Sequence, residues 1–118
     1  MMTFCWDELM TTDIEAATMF YGKLFAWSRS EMPGNPEMFM FKAPHGEVAS
    51  MMKTPPGVPP SWMTYILVEN LTNSVAKAKS MGAEFMMENI EVPNIGTFSV
   101  MKDPQGSYVS LFQGMMKS

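Results

Sequence analysis

The sequence predicts an α+β domain made of two copies of one β-α-β-β-β unit. Three observations predict it. Helix-start signals at Asp13 and Asn70 coincide when one half is laid on the other at an offset of 57 residues. A Lys-x-Pro-x-Gly hairpin occurs twice, at Lys42–Gly46 and again at Lys102–Gly106. Between the halves lies Lys53-Thr54-Pro55-Pro56-Gly57-Val58-Pro59-Pro60, with four prolines in eight residues. Prolines donate nothing to a sheet ladder, so this segment reads as a stiff, extended connector. The expected boundaries are one domain over 1–118, with module 1 at 3–53, a linker at 53–61 and module 2 at 62–114.

Each element has its own local reason. Phe4–Met10 reads as a strand. Thr12 with Glu15 three residues on is a capping-box pattern, and Ile14, Ala17, Phe20/Tyr21 and Leu24 recur at helical spacing, predicting an amphipathic helix over 13–25. Trp27–Met32 reads as a strand, Pro33–Pro36 as a turn, and Glu37–Lys42 and Glu47–Met52 as a hairpin around Pro44-His45-Gly46. The series restarts with a strand at Trp62–Val68 and a helix capped by Asn70 and stopped by Gly82. Strands at Glu84–Met87, Thr97–Lys102 and Ser107–Gln113 follow, the last two joined by the turn Asp103-Pro104-Gln105-Gly106. The charges Glu88 and Glu91 read as a solvated loop. Past the helix the offset between halves grows from 57 to 60, which implies three extra residues in the second half.

Composition removes several function classes. The 118 residues suffice for one domain with a modest core. Net charge is −4, and Arg29 is the one arginine, so no basic stripe exists to track a phosphate backbone. No apolar run is long enough to span a membrane, and the N-terminus lacks a basic, signal-like opening, so a cytoplasmic location is expected. One cysteine and one histidine cannot build a Cys/His zinc site. Cys5 sits in an apolar strand pattern and is expected to be a buried structural thiol. His45, in its turn, is expected to be exposed and inert, and Asp103 to cap its own turn. Sixteen methionines are far above ordinary usage. They read as core filler, as an adaptable apolar pocket, or as a core in which Leu and Ile have been replaced.

Strand parity assigns faces, because successive side chains alternate. Val109 and Leu111 share one face of the last strand, and Tyr108, Ser110 and Phe112 the other. Thr64, Ile66 and Val68 oppose Met63, Tyr65 and Leu67. If the helices pack one face of the sheet, the other lines a concavity. Trp6 and Glu8 then point into it from the first strand, Ser50 and Met52 from the fourth.

Several stretches resemble the vicinal oxygen chelate superfamily of glyoxalase I and the bleomycin-resistance proteins. They are Trp6-x-Glu8-Leu9-x-Thr11-Thr12-Asp13, Phe20-Tyr21-Gly22-x-Leu24-Phe25, the linker, and Asp103-Pro104-x-Gly106…Leu111-Phe112. The linker is more similar to that superfamily's uncharacterised glyoxalase-like branch. The resemblance implies paired βαβββ modules whose mixed sheet curls into a cup with a helix per module outside. It also implies a homodimer. Metalloenzymes of the superfamily carry His, Gln or Glu at four positions, and the alignment puts Trp6, Ser50, Met63 and Ser110 there. None of these is a competent ligand for a divalent ion, so no metal and no cofactor are expected.

Glu8 is the one ionisable side chain that parity aims into the cup. Burial there raises a carboxyl pKa and suits it to general acid–base work. Tyr65 is its counterpart in the second half, so the two form an expected polar clamp, walled by Trp6, Met52, Met63 and Phe112 beside Ser50 and Ser110. The first expectation is a metal-independent protein that binds a small apolar or aromatic molecule. The alternatives are a metal-free isomerase, epimerase or lyase with Glu8 as base, and a filled cup that serves as an interaction or vestigial module.

Overall fold

A computed structural model describes residues 2–32 and 34–115. Its elements are β1 (Thr3–Thr11), α1 (Ile14–Phe25), β2 (Ser28–Met32), β3 (Asn35–Ala43) and β4 (Gly46–Lys53). The second half repeats them as β5 (Ser61–Leu67), α2 (Leu71–Ser80), β6 (Glu84–Val92), β7 (Gly96–Lys102) and β8 (Tyr108–Gly114). All eight strands form one mixed sheet in the order β2-β3-β4-β1-β5-β8-β7-β6. The order reads the same from both edges once each strand is replaced by its repeat mate. Within each half the first and last strands pair in parallel, β1 with β4 and β5 with β8. The halves meet where β1 runs antiparallel to β5, with Asp7 opposite Thr64. Those two residues are repeat mates at the offset of 57, so the pseudo-twofold axis passes between them.

Side-chain alternation then divides the core into two layers. On the cup face Met10, Met32, Met38, Met40, Met52 and Met63 are buried with Tyr65, Phe98 and Val100. On the outer face α2 packs Leu71 and Val75 onto Val68 and Leu111, while α1 rests Ile14, Ala17 and Tyr21 on Leu9, Phe41 and Met51. Methionine is therefore concentrated on one face, with six of the buried cup residues against a single fully buried methionine, Met51, outside.

Several local expectations need correction. Asp13, not Thr12, caps α1, accepting from Ala16 N at 3.0 Å. Phe20 and Leu24 point outward, and α1 buries no residue completely, because the helix turns Ile14, Ala17 and Tyr21 to the sheet instead. The connector does not simply run extended. Val58 N bonds back to Pro55 O at 3.1 Å, around Pro56-Gly57 with Gly57 at φ 85°, which buries Val58 in the cup core. Strand β6 continues to Val92, past two irregularities in its pairing, so Glu88 and Glu91 are exposed strand positions rather than a loop. Asn89 there has φ 52° and donates its N–H to Ser99 Oγ. Pro33 lies outside the described residues, and β3 already begins at Asn35 within the expected turn. The hairpin expectations hold: Asp103 Oδ1 accepts from Gln105 N and Ser107 N.

Candidate functional site

Strand β1 sets the site. Pairing with β5 passes from Phe4–Ile66 to Trp6–Tyr65, so Cys5 has no partner and forms a bulge. Beyond the bulge the alternation is regular. Trp6 and Glu8 point into the cup, and Asp7 points out. The bulge also explains why Cys5 is exposed rather than buried. Its thiol reaches the rim of the cup, where burial, helped by the Asp7 carboxylate, pushes its pKa up.

Glu8 is completely buried, yet it makes part of the wall of a cavity of about 320 Å³. Its two oxygens are held separately. Ser50, directly across the parallel β1–β4 ladder, donates to Oε2 at 2.9 Å, and the Tyr65 hydroxyl donates to Oε1. The Trp6 indole N–H in turn donates to Ser50 Oγ at 2.8 Å. Burial pushes the Glu8 carboxyl up to about 7, against the lowering effect of the Tyr65 and Ser50 hydrogen bonds. Burial, and then the adjacent Glu8 charge, raise the Tyr65 phenol well above its ordinary value, so it remains a donor. Ser110 faces Tyr65 across the β5–β8 ladder. Its buried hydroxyl falls outside full hydrogen-bond geometry with any described residue, yet it lies close enough to the Tyr65 oxygen to favour the ionised phenol in part.

The structure brings together five of the expected site residues at the cavity: Trp6, Glu8, Ser50, Tyr65 and Phe112. Met52, Met63 and Ser110 are buried in the cup face without lining that space. Sequence reasoning missed Met32, Met38, Met40 and Phe98, which complete the apolar wall, and Val92 and Ile95 near the rim. The repeat carried a signal for some of these, since an offset of 60 lays Met38 on Phe98. Tyr65 and Phe98 meet edge-to-face at 5.6 Å.

The sequence matches the family profile described as the Glyoxalase/Bleomycin resistance protein/Dioxygenase superfamily over residues 5–111. The chain belongs to this superfamily. Among curated proteins, "Putative glyoxylase CFP32" of Mycobacterium tuberculosis is 36% identical over 115 residues, covering 92% of this chain and 44% of that protein. The Anthracycline biosynthesis protein DnrV of Streptomyces peucetius is 24% identical over 130 residues, covering 95% of this chain and 47% of that protein. The chain thus spans a little under half the length of each. Among solved structures, methylmalonyl-CoA epimerase from Mycobacterium tuberculosis superposes with a TM-score of 0.60 at 11% identity, over 96% of this chain and 88% of that one. The Mn(II)-bound glyoxalase from Novosphingobium aromaticivorans gives 0.57 at 12%, over 98% of this chain and 41% of that one. At such identities the likeness is one of fold.

The Novosphingobium aromaticivorans glyoxalase is Mn(II)-bound, whereas the donors of this cup are of another kind. Trp6 offers only an N–H, already given to Ser50. Met63 offers a thioether, and Ser50 and Ser110 offer neutral hydroxyls. Glu8 is the single carboxylate beside them. Among the described residues no group of three His, Cys, Asp or Glu side chains could hold a metal ion. This donor set does not fit a hard divalent cation. It does suit an apolar guest that presents one polar group to the Glu8–Tyr65 pair.

Proposed function

We propose that the protein binds a small, partly apolar or aromatic molecule in the cup, independently of any metal or cofactor. The carrying observation is the cavity of about 320 Å³, walled by methionine and aromatic side chains over one buried carboxyl. A few placed polar groups in an apolar hollow are what small-molecule sites consist of. Clustering of the methionines on the cup face supports the adaptable-pocket reading of their excess, since thioether side chains reshape around a guest at low cost. The existence of the cavity counts against a filled, vestigial cup.

Binding of an apolar fluorescent dye tests this. One equivalent should bind, with the same affinity in the presence of a strong chelator. Ile95 is 43% exposed at the rim. Ile95→Trp should block dye entry and leave the melting temperature unchanged. Stoichiometric binding that the chelator abolishes would overturn the metal-independent reading.

A second reading makes Glu8 the general base of a metal-free isomerase, epimerase or lyase. What favours it is a carboxyl poised near neutrality and hydrogen-bonded to a phenol. Turnover rising through about pH 7 and lost in Glu8→Gln would establish it.

The proposal extends to a homodimer. Phe20, Leu24 and Phe25 of α1 are each more than half exposed, with Trp62 beside Tyr21. An apolar surface of that kind suits a second copy of the chain.

A further inference from the structure

We infer that the cup selects a cation: its ligand is an apolar or aromatic molecule carrying one protonated amine, which docks against the Glu8–Tyr65 pair. The inference rests on the proposal that the cup binds a small molecule, and it names the class.

The charge inventory of the cup is one-sided. Among the described residues two carboxylates line it, Glu8 and Glu47, and no lysine, arginine or histidine does. Glu47 stands at the rim, across the β3–β4 ladder from Lys42, and is exposed. Glu8 lies deep, and no cationic side chain among the described residues neighbours it. Its two hydrogen bonds come from neutral hydroxyls, Ser50 and Tyr65. The other titratable groups facing it are Cys5 at the rim of β1 and Tyr65 on β5, and neither supplies positive charge. Asp7 is on the opposite face of β1.

A buried carboxylate without a cation is costly, and the cost is relieved when a guest brings the missing charge. Each carboxylate oxygen here accepts one hydrogen bond and has a lone pair for another, and because Glu8 is fully buried an ammonium reaches it only as the side chains that cover it on the cavity side move apart. The rest of the wall also favours a cation. Trp6, Tyr65, Phe98 and Phe112 line the cavity, and aromatic rings attract cations that approach their faces. Met32, Met38 and Met40 add polarisable thioethers. An anionic ligand would meet two like charges and no donor with positive charge. A neutral ligand would leave Glu8 either to hold its own proton or to stay ionised without a partner charge.

The test uses two probes of one shape, 2-(aminomethyl)naphthalene and 2-(hydroxymethyl)naphthalene, titrated calorimetrically into the whole chain. At about pH 8 the amine should bind at least tenfold more tightly than the alcohol. With Glu8 titrating near 7, its ionised fraction falls from about nine-tenths at pH 8 to about one-tenth at pH 6. Amine affinity should fall about tenfold with it, and alcohol affinity should not. Glu8→Gln should erase the amine's advantage. Tyr65→Phe, which keeps the carboxylate, should preserve it, so the proposal remains testable even if Glu8→Gln folds poorly. Equal or tighter binding of the alcohol at pH 8 overturns the cation inference and leaves small-molecule binding standing. Failure of both probes to bind overturns both.

Discussion

Replacing Glu8 by glutamine should remove a loss of stability that the parent protein suffers as pH rises through neutrality. The carboxyl titrates near 7 in the folded chain, against 4.5 for an ordinary glutamate. Below about pH 4.5 it is protonated in both folded and unfolded chains, and its ionisation costs nothing. Between 4.5 and 7 the folded chain holds a proton that the unfolded chain has lost, so stability falls as pH rises. Above 7 both states are ionised and the loss is complete. At about 1.4 kcal/mol per pH unit the total is roughly 3 kcal/mol. Glutamine keeps the shape and cannot titrate. The stability difference between Glu8→Gln and the parent should therefore grow by roughly 3 kcal/mol between pH 4.5 and 7.5. Taking the difference cancels every other titrating group. At about 4 °C per kcal/mol for a chain of this size, the melting temperatures should diverge by roughly 10 °C over that range. Urea unfolding of both proteins at a series of pH values measures it. A difference that stays flat across the window would refute the burial argument for Glu8.

Three further outcomes follow from particular contacts. In Gly96→Ala the new Cβ would lie 2.2 Å from the Gln113 carbonyl oxygen and 2.7 Å from the Phe112 ring, so urea unfolding should show a loss of about 2–4 kcal/mol. Ser110→Ala removes a buried hydroxyl whose one polar neighbour, the Tyr65 oxygen, is poorly aligned with it, and the same assay should show a change within about 1 kcal/mol. Cys5 should react with a maleimide more slowly than free glutathione at neutral pH, because its thiol is held protonated, and more slowly again when a ligand fills the cup beside it.

Much of the site is legible in the sequence, for a specific reason. Alternation along a strand depends on nothing but the strand, so Trp6, Glu8, Ser50 and Tyr65 could be aimed into the cup from sequence alone. The repeat then made Glu8 and Tyr65 counterparts, and the structure joins them directly. What the sequence did not reveal depends on partners. The bulge that exposes Cys5 exists only in the pairing of β1 with β5. The length of β6 depends on its ladder with β7, which tolerates two interruptions. In α1, Phe20 and Tyr21 are adjacent, about 100° apart around the axis, so helical spacing alone could not say which one meets the sheet. The methionine excess was visible as a number. The concentration of its buried members on the cup face becomes visible only with both layers assembled.

In the proposed function the ligand enters the cup and not the aromatic surface beside α1. Three tryptophans report on it separately. The Trp6 indole N–H is bonded to Ser50 at the cavity, whereas Trp27 and Trp62 lie near Tyr21 on the outer face. In a nitrogen–proton correlation spectrum each gives its own indole signal. Titration with 2-(aminomethyl)naphthalene should shift the Trp6 signal and leave the other two in place. Movement of the Trp27 or Trp62 signals with Trp6 unchanged would contradict the account.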